Sequence, residues 1–368
     1  MSPIALSTAS PGALADVLSA RGAPAFRGAQ LRRALWQPFV TTLDDIHQIP
    51  ASLRDELRLG LLFSTVSVVS ENEADSGRTV KLLCALGDGQ TIETVAMETP
   101  ARGGSRRRST ICVSTQVGCA VGCPFCATGR MGLRRSCSAA EVVDQVRCGA
   151  AALHRRGLGP VTHVVYMGMG EPLAAYDSTV GSLRVLVAGG GISPRRITVS
   201  TSGVVPAIGR LATEGIACRL AISLHAASDE LRDRLVPLNR AHPLAALLEA
   251  GTAYARRTGR RLTLEWCLIG GVNDSIEQAR GLCDLAQRAR AHVNVIPMNR
   301  IEDSPWGPPD PAAERAFLAQ LDSVVVTVRD TRGADTDAAC GQLRAALQRR
   351  RSLRPDGTLS PPHPVVAV

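Results

Sequence analysis

The sequence predicts an α/β fold built on a parallel sheet, and three observations carry the prediction. Six or seven short strand-like segments alternate with helical ones beyond residue 108, which calls for parallel strands joined by crossover helices. The chain has 368 residues, 45% apolar and 20% charged, enough to bury a large core. Its eleven cysteines are an odd number spread along a long chain, which excludes a small disulfide scaffold. An open doubly wound sheet and a full or partial barrel both satisfy the alternation.

The elements follow in order. Ser10 and Pro11 supply an N-cap and a first helical position for a helix over residues 12–20. Apolar and basic residues mix over 26–36, and a third short helix fits 52–59. Strands are expected at 61–69, 79–86 and 91–97, the last two joined by the hairpin signal Gly87-Asp88-Gly89. Residues 100–108, rich in Gly and Arg, read as a loop and mark a boundary. Beyond it the strands are 110–114, 161–166, 196–200, 218–224, 262–268, 292–296 and 324–328. Helices are expected at 138–153, where Ser138 and Glu141 form a capping box, and at 204–213, 243–257, 275–290 and 312–321. The chain thus divides into a helical accessory domain (1–60), a β-hairpin linker (61–104), a core (105–345) and a flexible basic, proline-rich tail (346–368).

Charge points to a partner. There are 42 basic against 33 acidic side chains, net +9, and of the basic ones only Lys81 is lysine. Such a surface favours nucleic acid. Arg106-Arg107-Arg108, Arg134-Arg135, Arg155-Arg156, Arg195-Arg196, Arg256-Arg257 and Arg260-Arg261 are candidate phosphate contacts. Arginine also stacks on bases, which offsets an aromatic content of 3%. No uncharged run approaches the ~20 apolar residues a bilayer needs, and no secretory signal is visible. A cytoplasmic protein with reduced thiols and no membrane partner is expected.

Cys119-x3-Cys123-x2-Cys126 lies in the loop after the first strand of the parallel series. Three thiolates within eight residues can converge on one centre, and Gly118 and Gly122 let the backbone wrap closely around it. One reading is structural zinc, which wants four ligands and usually pairs of CxxC. No second pair exists, and the nearest spare thiols are Cys112 and Cys137. The other reading is a 4Fe–4S cluster, where three cysteines leave one iron open to a substrate or cofactor. Cys84, Cys137, Cys148, Cys218, Cys267 and Cys283 read as small buried hydrophobes. Taken alone, His225 reads as a satisfied core histidine and Glu93 as a solvated strand glutamate.

The string Val117 to Gly129 (VGCAVGCPFCATG) resembles the radical S-adenosylmethionine (SAM) signature of the RlmN/Cfr group of adenosine-methylating RNA methyltransferases. Further motifs carry the resemblance: Gly168-Met169-Gly170-Glu171-Pro172, Ser200-Thr201-Ser202-Gly203, Ser223-Leu224-His225, Ile296-Pro297-Met298-Asn299, and Arg332-Gly333 with Ala339-Cys340-Gly341-Gln342. It runs from the N-terminal helices through about Leu343. Each motif follows a different strand, and in a parallel barrel those ends share the face that builds active sites.

The resemblance implies a partial (β/α)6 radical-SAM barrel with a small N-terminal helical accessory domain and a β-hairpin segment. It assigns Cys119, Cys123 and Cys126 to a 4Fe–4S cluster, and SAM contacts to Gly170, Glu171, Ser200, Ser223, Leu224, His225 and Asn299. It makes Cys340 the S-methylcysteine carrier, Cys112 the resolving thiol of a transient Cys112–Cys340 disulfide, and Glu93 the proton acceptor. Two SAM molecules are used per turnover, one to methylate Cys340 and one to start radical chemistry. The implied reaction is methylation of carbon 2 of an adenosine in 23S rRNA, with tRNA as a second substrate. The target base leaves its stack to reach the site. A low-potential donor such as flavodoxin and a monomeric chain complete the expectation. The alternatives are carbon-8 methylation of the Cfr type, disfavoured by the helical N-terminal extension, and a non-catalytic zinc-stabilised RNA-binding module.

Overall fold

The computed structural model describes residues 3–101, 106–301, 304–329 and 342–343. Ser10 accepts from the Ala13 N–H at 3.1 Å and starts α1 (Pro11–Ser19). With α2 (Arg27–Leu35) and α3 (Ala51–Arg58) it encloses a separate small core that includes Leu14, Leu18, Leu31, Leu35 and Leu57. A two-residue parallel pairing of β1 (Ile4–Ala5) with β2 (Leu61–Leu62) closes this unit.

An antiparallel meander follows, β3 (Val66–Ala74), β4 (Thr79–Leu86) and β5 (Thr91–Thr99). The turn between β4 and β5 needs Gly89 at φ +78°, where a Cβ would be strained. Next come β6 (Arg108–Cys112) and a small antiparallel pair, β7 (Gln116–Gly118) and β8 (Leu133–Ser136), which brackets α4 (Ala127–Arg130). The chain continues as α5 (Ala139–Arg155), β9 (His163–Tyr166), α6 (Tyr176–Ala188), β10 (Ile197–Thr201), α7 (Val205–Leu211) and β11 (Arg219–Ser223). It ends with α8 (Asp229–Leu235), α9 (Leu244–Thr258), β12 (Thr263–Leu268), α10 (Ile276–Ala289), β13 (His292–Pro297), α11 (Pro311–Leu318) and β14 (Val326–Val328).

The main sheet has ten strands in the order β14-β13-β12-β11-β10-β9-β6-β5-β4-β3. Its parallel strands, β6 and β9 to β14, add one after another in one direction. A doubly wound sheet reverses direction at a switch point. Winding one way curls the sheet toward a barrel, and among the described residues β14 and β3 remain edges. The barrel is therefore partial. It carries one parallel strand more than the six expected for a (β/α)6 unit, because β14 adds to β13.

Strand alternation sorts the two faces. Ile197, Val199, Leu220, Ile222, Leu264, Trp266, Val293 and Val295 are completely buried and form one core with helix residues such as Leu247 and Leu282. The opposite face is polar. Register sets Ser223 beside Glu265 and Glu265 beside Asn294, while Cys112 on β6 stands opposite Val95, two residues from Glu93 on β5.

Several elements differ from the sequence expectation. The strand expected at 61–69 is displaced, and β3 runs to Ala74 as an extension of the barrel sheet; Val80 and Leu82 of β4 share the core of Ile111. The β7–β8 pair, α6 and α8 were not foreseen. The first is only three and four residues long, and α6 starts after Ala175 without a side-chain cap. No helix among the described residues is long and apolar enough to cross a membrane.

Candidate active site

The cysteine triad sits between β7 and α4. The β7–β8 pair fixes both ends of its loop, and the Cys119 N–H donates to Gly132 O at 3.1 Å. Gly118 has φ +77°, and a Cβ there would lie 1.8 Å from Gly132 O, so only glycine lets the two segments close. Gly129 is equally constrained, with a hypothetical Cβ 2.5 Å from Cys123 O. An apolar wall of Val121, Phe125, Ala226, Leu235, Val236, Ile269 and Met298 surrounds the triad.

Burial pushes the Cys119 thiol up to about 12 and the Cys123 thiol well above the usual range, and the neighbouring cysteines add to both. A buried set of mutually repelling thiols is stable as thiolates only around a cation. Three thiolates in one loop match a 4Fe–4S cluster, which takes one thiolate per iron and leaves the fourth iron open, whereas structural zinc wants four ligands. The chemistry of the donor set therefore fits a cluster better than zinc.

A cavity of about 160 Å³ opens beside Phe125 and Cys126 at the C-terminal ends of the strands. Gly170, Glu171, Ser200, Ser223, His225 and Asn299 line it. Leu224 does not; it is completely buried, and its N–H donates to Glu265 O at 2.9 Å. Gly170 has φ +101°, and a Cβ would meet Gln116 at 2.6 Å. Glu171 is 2% exposed. Its carboxylate accepts from Leu173 N at 3.0 Å and Ser202 N at 2.7 Å, and burial raises its pKa. It thus ties two cavity loops together.

His225 occupies the left-handed region at φ +61°, and its Nδ1 accepts from Cys267 N at 2.9 Å. Phe125 meets the imidazole edge-on at 5.0 Å. Burial, with Arg232 adding to it, pulls its pKa down to about 3, so the ring is neutral. The histidine is satisfied and on the cavity wall at once.

Glu93 is 1% exposed, and its Oε1 lies 3.5 Å from Nζ of Lys81, the chain's one lysine. Cys112 is also buried, on the same face of the sheet by register. Cys340 lies outside the described residues. Two residues after it the chain is anchored: Gln342 donates to Arg300 O at 2.9 Å, and Leu343 O accepts from Thr128 Oγ1 at 2.6 Å, in the helix that follows the triad. Of the candidate phosphate contacts, Arg135 is engaged by Asp88 and Glu141, and Arg155 and Arg156 by Glu71 and Glu73. Arg106, Arg134, Arg195, Arg196, Arg256 and Arg261 are exposed.

Two residues went unnoticed in the sequence. Arg232 on α8, completely buried, donates to Leu224 O, Ser202 O, Ser223 O and Asn239 Oδ1, and so binds two motif loops to one guanidinium. Glu265 lines the cavity from the middle of β12. A charged residue on an otherwise apolar strand was the available signal for Glu265; a seven-residue helix rich in charge gave none for Arg232.

Comparison with known proteins agrees with this geometry. Residues 113–283 match the radical SAM superfamily. A probable dual-specificity RNA methyltransferase RlmN of Frankia alni is 45% identical over 342 residues, covering 90% of this chain and 80% of the relative. That of Moorella thermoacetica is 44% identical over 341 residues, covering 91% and 96%. The crystal structure of a radical SAM methyltransferase from Sphaerobacter thermophilus superposes with a TM-score of 0.88 at 43% identity, covering 93% of this chain and all of that one.

Proposed function

The chain belongs to the RlmN family of radical SAM RNA methyltransferases, and from that premise we propose that it methylates carbon 2 of an adenosine in 23S rRNA and in tRNA. One observation carries the reading: the three-thiol loop opens onto the same cavity as Glu171, Ser200, Ser223, His225 and Asn299. That cavity is the cofactor site in this reading, and Cys119, Cys123 and Cys126 hold the cluster. When bound, the cluster and SAM supply one-electron chemistry, which an electron-poor ring carbon requires because it offers no nucleophile to an ordinary methyl donor.

The chain's own residues do the rest. Cys340 carries the methyl group as a thioether. Glu93, held beside Lys81, takes the ring proton. Cys112 attacks the Cys340 sulfur, the released methylene carbon takes up a proton to become the methyl group of the base, and the two sulfurs end as a disulfide that must be reduced by two electrons before the next turnover. A low-potential donor of the flavodoxin type feeds the cluster. In support of that reading, Gln342 and Leu343, which follow Cys340 in the sequence, are anchored to Arg300 and to Thr128 of α4. The unit over residues 1–60 serves as an RNA-holding accessory domain, and its separate core supports that division. We place the enzyme in the cytoplasm, as a monomer.

Nucleoside mass spectrometry of ribosomal and transfer RNA from cells with and without the protein tests the proposal. The expected result is 2-methyladenosine that depends on the protein. Its unchanged presence in the deletion strain, or 8-methyladenosine as the sole product, overturns it.

A further inference from the structure

The polar face of the barrel sheet has two ends. Ser200, Ser223, Glu265 and Ile296 mark the end that lines the cavity. Side chains alternate between faces along a strand, so residues four apart share a face. Four positions back from these stand Arg196, Arg219, Arg261 and His292. The same interval from Cys112 on β6 and from Met167 after β9 gives Arg108 and His163. Arg108, His163, Arg219 and His292 are the first residues of β6, β9, β11 and β13. Arg196 immediately precedes β10, and Arg261 lies two residues before β12. Each of these parallel strands thus opens on an arginine or a histidine, at the N-terminal mouth of the barrel. Four residues of strand, about 13 Å, separate that mouth from the cavity wall.

Curling of the sheet brings these side chains together. Arg219 acts electrostatically on Arg108, His163 and His292, which belong to three other strands. Arg196 likewise acts on His163, and Arg261 on His292. Partial burial, then Arg108, Arg196 and Arg219, pull the His163 pKa down to about 4. Burial, then Arg261, Arg329 and Arg219, lower that of His292, so both rings are neutral at pH 7. The only charges acting on Arg108, His163 and His292 are those arginines. Among the described residues Arg108, Arg196, Arg219 and Arg261 form no ion pair, although Arg107 beside them pairs with Glu98 and Arg329 with Glu265. All four are exposed. A mouth lined by one sign of charge focuses its field and concentrates an anion there. The guanidinium fork matches the oxygens of a phosphate, in a charge-assisted pair. Because the cations converge on one mouth and do not lie along a stripe, they fit a compact ligand with several neighbouring phosphates better than an extended backbone.

We propose that the N-terminal mouth of the barrel is a binding site for a compact oligophosphate, inorganic or carried by a nucleotide, held by Arg108, Arg196, Arg219 and Arg261. This site is separate from the proposed reaction, because the mouth and the cavity lie at opposite ends of the same face.

The test is equilibrium binding of inorganic tripolyphosphate and of ATP, in magnesium-free buffer, to the cluster-reconstituted full-length protein, with sulfate as the single-anion control. Arg219→Gln and Arg196→Gln are the mouth variants. Arg288→Gln, at an exposed arginine on α10, removes the same charge elsewhere. Iron content and thermal unfolding verify the fold of each. The expected result is saturable binding by wild type, far tighter than that of sulfate, with the affinity reduced about ten- to a hundredfold in both mouth variants. Arg288→Gln should match wild type, and saturating SAM should leave the binding unchanged. Whichever probe binds more tightly identifies the source, nucleotide or inorganic, and either order upholds the site. Wild-type binding no tighter than that of sulfate overturns the proposal. So does displacement by SAM, or an equal loss in Arg288→Gln. A single-stranded oligoribonucleotide is the last arm: if Arg219→Gln weakens its binding more than that of tripolyphosphate, the mouth holds an RNA backbone and the proposal fails.

Discussion

His225 shows how one side chain can be a core residue and a cavity residue together. Its Nδ1 is committed to Cys267 N and its ring to Phe125, so the proton it carries faces elsewhere. Its pKa, held down at about 3 against 6.5 in the open chain, has a defined sign in stability. The unfolded state takes up a proton below 6.5 and the folded state does not, so this residue's contribution is lost as pH falls from 6.5 toward 3. Between about pH 6.5 and 5 the loss amounts to about 2 kcal/mol. His225→Asn removes the titration, tolerates the left-handed backbone and keeps an acceptor for Cys267 N. Urea unfolding of the two proteins at both pH values should show the variant with the shallower pH dependence; equal slopes would reject the assignment.

At the same scale the thiols make a chemical prediction. Cys119→Ala removes one of the three cluster ligands proposed above, and the protein should emerge from anaerobic reconstitution with well under the about four irons per chain of a complete cluster. Cys112→Ala leaves the cluster alone and should accumulate a covalent protein–RNA adduct, visible by denaturing gel and mass spectrometry. A Cys112→Ala enzyme that turns over without adduct would remove the resolving role from that residue.

The element that controls the triad is the β7–β8 pair. Gly118→Ala forces a Cβ to within 1.8 Å of Gly132 O at a left-handed φ. The left-handed conformation alone costs about 1–2 kcal/mol, and the backbone clash requires the pair to separate. Iron retention should drop sharply, whereas Gly209→Ala, with nothing within 4 Å and inside α7, should match wild type. Element by element, the sequence was legible where its signals are local. The Ser138–Glu141 capping box stands at the start of α5 with both reciprocal bonds made. The β7–β8 pair was not legible, because its strands are held by a glycine fit between segments fourteen residues apart. Neither propensity nor periodicity encodes such a contact. Arg232 was hidden for a similar reason: its value lies in carbonyls from the loops after β10 and β11, which converge only once the sheet has curled.

At the scale of the whole molecule, alternation of strand and helix left the barrel and the doubly wound sheet equally possible, and strand order decided between them. The same limit applies to how the N-terminal unit joins the barrel. That unit has its own core, yet a buried pair on α5 reaches across to it. Arg147 donates to Leu35 O at 3.1 Å and Phe63 O at 2.8 Å and pairs with Asp144 at 2.8 Å; Asp144 in turn accepts from Thr65 N and Oγ1, both at 2.8 Å. Asp144 is buried and Arg147 largely so, and Arg147→Met leaves Asp144 without its cation, a change worth about 3 kcal/mol. The hydrogen bonds of Arg147 and Asp144 go to Leu35, Phe63 and Thr65, none of which lines the cavity or belongs to the triad. Arg147→Met should therefore retain iron and SAM binding. It should gain protease sensitivity between α2 and β3 and bind RNA more weakly, with most of the loss appearing as a reduced salt dependence. If iron and SAM binding fell in step with RNA binding, the latch would belong to the barrel's stability and not to the presentation of RNA by the helical unit.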